Sequence, residues 1–388
     1  MLTGLGAILV ERNSPVIVIG GGIIGLSIFY ELSARGIWNI LIESRERFGE
    51  GASSRNSEVI HGGFLSAPDS LRQKMCLSGG KELTKRVEEW GISSRRCGKL
   101  VVATAIGEVP RLDQIVSESE RIGVECQYVG PEDTAILEPA MATDFSKAAW
   151  FPNSGVFDTH SYMKMLANMG EENGSDLLFQ SKAESILCKD GLPYVIIGGE
   201  EIEADLVINT SGMDSDRVLE SSGVSLAENG LEQEAWTGQW YRIKPGSTKG
   251  MERLVYRTST PDQPGLGVHT TPDWEGGGVR LGPDSIKLEG ELSDFDSRHI
   301  FDTSGERKKA FYDRLSILYP ELSMADLIPD QSGIRSRSYN EQGVADFRFI
   351  IGEGVDLPRT MHLLGMESPG VTASPAIAWR VADWVEGQ

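Results

Sequence analysis

Gly20, Gly22 and Gly25 stand in the hexapeptide GGGIIG at the spacing G-x-G-x-x-G. In that spacing the first glycine makes a tight turn, the second lets a diphosphate approach the main chain, and the third lets a helix pack close to a strand. Glu43 follows at the end of NILIES with Ser44 beside it, where a carboxylate accepts hydrogen bonds from the hydroxyls of an adenosine ribose. The next polar stretch, EGASSRNSEVIHGGF from Glu50 to Phe64, collects Ser53, Ser54, Arg55, Asn56, Ser57 and His61, one of five histidines in 388 residues. Hydroxyls, an amide and a guanidinium suit the polar groups of a nucleotide, and an imidazole suits proton transfer near neutral pH.

Three elements must hold these residues. After Pro15, VIVIG is a short β-branched run of the kind that forms a fully buried parallel strand. Residues 23–35 are apolar around most of a helix, and Gly36 stands where a left-handed C-cap is expected. NILIES reads as the second strand. A lone G-x-G-x-x-G says little in a chain with 45 glycines. Strand, helix, second strand and terminal acid in this order make a dinucleotide-binding unit, which the motif alone does not divide between NAD and FAD.

The bulk composition limits the partners. The hydrophobic share of 40% and charged share of 24% are those of a globular protein, and the length is that of two or three domain-sized bodies. A net charge of -20 argues against nucleic acid. An anionic substrate would then need a local pocket of positive charge, which makes individual buried arginines interesting. Cys76, Cys97, Cys126 and Cys188 lie far apart in no metal-ligand spacing, so they read as reduced thiols and no metal is expected. The N-terminal stretch lacks the basic flank of a signal peptide and the Arg/Ser richness of a transit peptide. The expected location is cytoplasmic, or mitochondrial if the source is eukaryotic. No membrane span is expected, because the most apolar run is broken by the three glycines.

Past Glu43 the chain does not proceed into further βα units but into the polar segment above. Ser53, Arg55, Asn56, Ser57, Val59, Ile60, His61 and Gly63 fit S-x-R-N-S-x-V-I-H-x-G. This resembles the L-2-hydroxyglutarate dehydrogenase/oxidase family within the D-amino-acid oxidase superfamily of FAD-dependent oxidoreductases. RRCGKLVVAT, SGVFDTHSYM, EIEADLVINTSGMDSDRV, GLGVHTTP, GIRSRS, ADFRFI and HLLGMESPGVTASPAIA follow in the family's order. Asp158 or Thr159 reads as a helix N-cap. In the last segment a strand, a small-residue turn and a helix from about Ser374 to Val385 would offer main-chain N–H groups and a positive dipole end to the flavin.

The resemblance implies an α/β fold: a discontinuous Rossmann-like FAD-binding domain plus an antiparallel-sheet α+β substrate domain. It assigns residues 14–75, 150–232 and 332–388 to the first and 76–149 and 233–331 to the second. The aromatic, alternating runs WTGQWYRIKP, RLVYRTSTP, LGVHTTP and GGVRLGP supply the sheet. It adds Gly212, Gly365, Pro369, Gly370, Val371 and Thr372 to the cofactor-binding residues already named. The implied reaction takes hydride from the Cα–H of a 2-hydroxy (di)carboxylate to flavin N5, with His61 or His269 as the base. Arg335 would bind the carboxylate, with Tyr241 and Lys244 reaching the distal one and Arg337 facing solvent. His160, His299 and His362 would be structural. Electrons would pass to a quinone or to oxygen, and a peripheral membrane contact stays open.

The chain departs from the family in the substrate half. HGGFLSAP stands for H-x-G-I-Y-Y-P, TGQWY with Thr237 for R-G-E-Y-Y, and YRTSTPD for Y-P-V-P-D. Two other readings compete: an amine or amino-acid oxidase of the glycine/sarcosine type, and a flavin-binding protein without turnover. No cysteine for covalent flavin attachment stands in the C-terminal region.

Overall fold

Val16–Ile19, Leu206–Asn209, Asn39–Ile42 and Thr360–Leu364 are strands with every residue buried. Such fully buried, mostly apolar runs mark a parallel sheet covered on both faces. They assemble in the order Arg348–Ile351, Thr360–Leu364, Leu206–Asn209, Val16–Ile19, Asn39–Ile42, Asp176–Leu178. All pairings are parallel except that of the edge strand Arg348–Ile351, which is antiparallel to Thr360–Leu364. One face carries helices Ile23–Ala34 and Gly370–Glu386, which pack on each other. The other carries an antiparallel meander of Ala183–Lys189, Leu192–Ile197 and Glu200–Glu203. Its Ile186, Val195 and Ile202 share a core with Ile17, Ile40 and Val207. This computed structural model describes residues 14–258, 267–290, 301–302, 304–340 and 343–388. His299 lies outside them.

A second sheet runs in the order Leu327–Asn340, Gln233–Ile243, Val279–Gly282, His269–Pro272, Leu254–Arg257, Lys99–Ala103, Lys147–Phe151, Gln127–Val129. It is antiparallel where its pairings are resolved, with one exception: Leu254–Arg257 runs parallel to Lys99–Ala103. Side chains alternate across its two faces. Leu100, Val102, Val255, Tyr241 and Ile243 face helix Glu306–Leu315 through Phe311 and Leu315. Val101, Ala103, Leu254 and Tyr256 face helix Val109–Arg121 through Leu112, Ile115 and Val116.

By internal contact the chain divides into two compact units. One comprises Met1–Ser54, His160–Ala235 and Ser336–Gln388; the other comprises Arg55–Thr159 and Trp236–Arg335. The boundaries read from the sequence put residues 55–75 and 150–159 with the first body. In the structure they go with the second, because Val59 and Phe64 are buried among Val101, Leu112 and Tyr256, and Val59–Ile60 pairs with Gly155–Val156. No helix among the described residues is long and apolar enough to cross a membrane.

Candidate active site

The first unit contains the glycine-rich turn. Gly20 has φ +103, and a Cβ at Gly25 would lie 1.9 Å from the Gly20 carbonyl oxygen and 2.7 Å from Thr210 Oγ1. The third glycine of the motif is thus required for helix Ile23–Ala34 to sit against its strand. Gly22 is that helix's N-cap and offers no side chain, so Ser53 Oγ accepts from Ile23 N at 2.9 Å in its place. Glu43 directly follows the strand Asn39–Ile42, with Oε2 accepting from Gly21 N at 2.8 Å and Oε1 from Arg45 N at 2.8 Å and Ser44 Oγ at 3.1 Å. Ser54 Oγ donates to Gly51 O at 3.3 Å. A turn with no Cβ to fill it, a helix N-terminus and a fixed carboxylate fit the diphosphate and ribose of a dinucleotide.

Two further loops of this unit are tied by a residue the sequence reading passed over. Gln233 Nε2 donates to Gly212 O at 3.0 Å and its Oε1 accepts from Gly365 N at 2.9 Å. Asp216 Oδ2 in turn holds Gln233 N at 2.9 Å. Beyond Gly365 the chain turns through a cis Ser368–Pro369 bond into helix Gly370–Glu386. That helix begins four residues before the expected Ser374, with Pro369 at its N-cap and Val371 and Thr372 in its first turn. Pro375 therefore lies inside the helix. Arg337 does not face solvent: its Nε donates to both Glu367 oxygens at 3.1 and 3.0 Å, and the Glu367 side chain is 5% exposed. The strand Leu327–Asn340 alternates, and Arg337 falls where a buried carboxylate awaits a partner. His362 is buried and structural, between Asn209 Nδ2 at 3.3 Å and Thr360 Oγ1 at 2.8 Å, while His160 is exposed at a helix start.

The second unit gathers the two candidate bases. His269 is buried and its ring stacks on Tyr256 with centroids 4.0 Å apart and 11° between planes. Its Nδ1 lies 3.3 Å from Thr270 O and 3.1 Å from Thr271 Oγ1. A proton on Nδ1 satisfies the Thr270 carbonyl and leaves Nε2 as the basic nitrogen. Burial pushes His269 down to about 3, with Lys99 and Arg335 pushing the same way. His61 keeps some exposed surface, and it too is held well below the usual imidazole range by the dense protein around it, then by Lys99 and His269. Its carbonyl accepts the Cys76 thiol at 3.4 Å. Lys99, whose charge acts on both histidines, is fully buried with its Nζ 4.3 Å from the Tyr256 ring centroid. The signal for Lys99 was a charged residue inside an apolar strand, KLVVA.

The remaining residues of the polar segment are fixed to the same unit. Asn56 Oδ1 accepts from Glu58 N at 2.7 Å, Asn56 O from Gln331 Nε2 at 3.2 Å, and Ser57 Oγ from Trp240 Nε1 at 3.3 Å. Arg55 Nε is buried with no hydrogen-bond partner among the described residues. An orphaned guanidinium N–H is the kind of donor that an anionic ligand satisfies.

Arg335 is half-buried and donates from NH2 to Asp284 O at 3.2 Å. A Cβ on Gly238 would lie 2.5 Å from that NH2, so the glycine of TGQWY makes room for the guanidinium. Tyr241 does not join it. Three residues along the same strand, it lies on the opposite face, packed edge-on to Phe301 and Phe311 with its hydroxyl accepting from Gln239 Nε2 at 2.9 Å. Lys244 is exposed at the strand's end. Tyr241 is thus turned away from Arg335 and Lys244 stands exposed, while Lys99 and Tyr256 join the neighbourhood of the histidines.

Residues 15–384 match the family described as FAD dependent oxidoreductase. The chain is 30% identical over 421 residues to mitochondrial L-2-hydroxyglutarate dehydrogenase of Arabidopsis thaliana, covering 98% of this chain and 85% of that protein. It is 27% identical over 404 residues to L-2-hydroxyglutarate dehydrogenase of Escherichia coli K12, covering 95% and 92%. Among solved structures, L-alpha-glycerophosphate oxidase of Mycoplasma pneumoniae with FAD bound has a TM-score of 0.83 at 22% identity, covering 97% of this chain and 96% of that one. Glycine oxidase of Geobacillus kaustophilus has a TM-score of 0.80 at 21% identity, covering 97% and 95%.

Proposed function

We propose that this chain, which belongs to the FAD-dependent oxidoreductase family and is an oxidoreductase of CH–OH donors, oxidises a small 2-hydroxy dicarboxylic acid, L-2-hydroxyglutarate foremost, to the 2-oxo acid. The observation that carries the reading is that one unit holds both His61, enclosed by protein that lowers its proton affinity, and the half-buried guanidinium of Arg335. Oxidation of an alcohol needs an acceptor for the hydroxyl proton, and a neutral imidazole is one. The carboxylate next to that alcohol needs a planar fork of donors, and Arg335 is one.

Gly20, Gly22, Gly25 and Glu43 would hold the diphosphate and ribose of FAD, with the N-terminus of helix Gly370–Glu386 as a further dipole end. Bound FAD supplies the two-electron acceptor that takes hydride from the hydroxyl-bearing carbon. His61 takes the hydroxyl proton, because it keeps exposed surface while His269 is 2% exposed. His269 supports it as a second neutral imidazole, whose burial denies it direct proton exchange with a ligand. Arg335 orients the carboxylate against a chain of net charge -20, where a lone surface cation would attract little. Onward electron transfer goes to a quinone or to oxygen.

The test is anaerobic reduction of the purified yellow protein by L-2-hydroxyglutarate, with the D-isomer, lactate, glycine, sarcosine and D-alanine as controls. Bleaching by the L-hydroxy diacid alone supports the reading. Bleaching by amines and not by hydroxy acids overturns it in favour of an amine or amino-acid oxidase, the reading that the shared fold with glycine oxidase keeps in play.

A further inference from the structure

Lys99 has no place in the chemistry above, and its surroundings are not those of a structural lysine. It lies in the strand Lys99–Ala103 with no exposed surface, and its Nζ has no hydrogen-bond partner among the described residues. Among the described residues no carboxylate pairs with it. What faces it is aromatic or uncharged. The Tyr256 ring lies 4.3 Å and the Phe64 ring 5.4 Å from Nζ. Burial raises the Cys76 thiol to about 12 and also raises Cys97 and the Tyr256 phenol, so all three stay neutral and none supplies a counter-charge. The remaining titratable neighbours are His61 and His269, with Arg335 acting on His269.

A buried ammonium without a counter-ion lowers the stability of a fold, and replacing it by an apolar side chain of similar shape commonly restores it. This lysine is also fastened to the histidines. Tyr256, over which its ammonium lies, stacks on His269 at 4.0 Å. Phe64 is three residues from His61, and Cys76 donates its thiol to the His61 carbonyl at 3.4 Å. A cation fixed in this way, in a medium that screens little, disfavours a second positive charge nearby.

We propose that Lys99 is a positioning residue for the base: its unpaired ammonium holds His61 as an uncharged, proton-accepting imidazole and drives off the proton that His61 takes from the substrate hydroxyl. The inference rests on His61 being the base of the proposed reaction. The direction of the shifts agrees, since burial lowers His61 and Lys99 lowers it further, while Lys99 itself falls to about 8.

The experiment is a 13C-NMR titration of the holoprotein labelled at histidine Cε1, with the His61 signal assigned by its loss in His61→Gln. In the wild type the His61 signal is expected to stay that of the neutral ring from pH 8 downward to the onset of acid unfolding. In Lys99→Met it is expected to titrate at least about one pH unit higher than in the wild type, a tenfold gain in proton affinity. An unchanged His61 titration in Lys99→Met, or a protonated His61 at neutral pH in the wild type, overturns the proposal. Lys99→Gln, uncharged and polar, gives the same reading should the methionine variant fail to fold. The acid limb of flavin reduction by L-2-hydroxyglutarate should move up with the NMR midpoint. If that substrate does not reduce the wild type at all, the functional reading fails, while the titration still decides whether Lys99 controls the charge of His61.

Discussion

The guanidinium of Arg337 meets both carboxylate oxygens of Glu367, at 3.1 and 3.0 Å, inside the first unit. Glu367 lies in the turn that feeds helix Gly370–Glu386, and Arg337 in a strand distant in sequence, so the pair fixes the approach to that helix N-terminus. Removing one partner leaves the other charge desolvated. Arg337→Met should cost on the order of 2–4 kcal/mol, the lower part of the range for a buried pair because Arg337 keeps some solvent. The double change Arg337→Met with Glu367→Met should cost less than the single one. Denaturant midpoints of the wild type and the two variants test this, and a double variant less stable than the single one would contradict it.

Gly25→Ala should abolish cofactor binding, since its Cβ would fall 1.9 Å from a carbonyl that cannot retreat without opening the turn. Gly36→Ala is the control: Gly36, unlike Gly25, has positive φ (+76), and nothing lies within 4 Å of its Cβ, so it should cost roughly 1 kcal/mol of stability and leave the bound flavin spectrum intact. Equal flavin content in the two proteins would refute the assignment of the GGGIIG turn.

Arg335→Ala and Tyr241→Phe should separate cleanly. Loss of the carboxylate fork should raise the substrate concentration for half-maximal reduction by roughly two orders of magnitude, the scale of a charge-assisted contact. Tyr241→Phe removes only one of two acceptors for Gln239 Nε2 in the core, Asp302 O being the other, so reduction kinetics should be unchanged while stability falls by about 1 kcal/mol. A substrate-affinity defect in Tyr241→Phe would return that residue to the site.

Acid should destabilise the fold through its histidines. His61, His269 and His362 all have folded values below the ordinary one, with His362 at about 4 through burial. Between the folded and unfolded values the unfolded chain binds the proton and the folded chain does not, so stability rises with pH toward about 6.5 and falls as pH drops. Glu138 opposes this. Burial raises its carboxyl to about 7 despite hydrogen bonds from Tyr319 and the Glu252 and Arg253 amides, so it keeps a proton that the unfolded chain has released. Asp216, raised by burial, acts in the same sense as Glu138. From about pH 5 to 6, His362→Asn should reduce the upward slope of stability against pH by roughly 1.4 kcal/mol per unit, and Glu138→Gln should steepen it by a similar amount. Denaturation midpoints across that range decide, and parallel slopes for wild type and His362→Asn would refute the assignment.

What could be read from the sequence was what local rules encode. The G-x-G-x-x-G spacing, the β-branched run at Val16–Ile19 and the acid at Glu43 are each determined by neighbours within about twenty residues, which is the span of one βαβ unit. Gly365, Pro369 and Gly370 were likewise visible as a small-residue turn before a helix. What escaped depends on contacts between distant segments. Lys99 offered one local signal, a charge in the apolar run KLVVA, but its surroundings emerge when Leu254–Arg257 is laid parallel beside its strand and brings Tyr256 against it. Tyr241 looked like a pocket residue because an aromatic strand has two faces, and only the packing of Phe301 and Phe311 tells which one it takes. Gln233 gave no motif at all; its role is to span Gly212 and Gly365, 21 and 132 residues away.

Glu43 has a consequence for how tightly a nucleotide can be held. Both carboxylate oxygens are already anchored by main-chain N–H groups, Gly21 on one side and Arg45 on the other. A free glutamate must surrender about 1.5–2 kcal/mol of rotamer freedom when it is immobilised by a ligand. Here that loss is incurred when the chain folds, so in the proposed cofactor site the carboxylate would meet the ribose with no conformational search left to make. Glu43→Asp keeps the charge yet is too short to reach both anchors, so it should weaken the cofactor mainly by restoring that lost freedom.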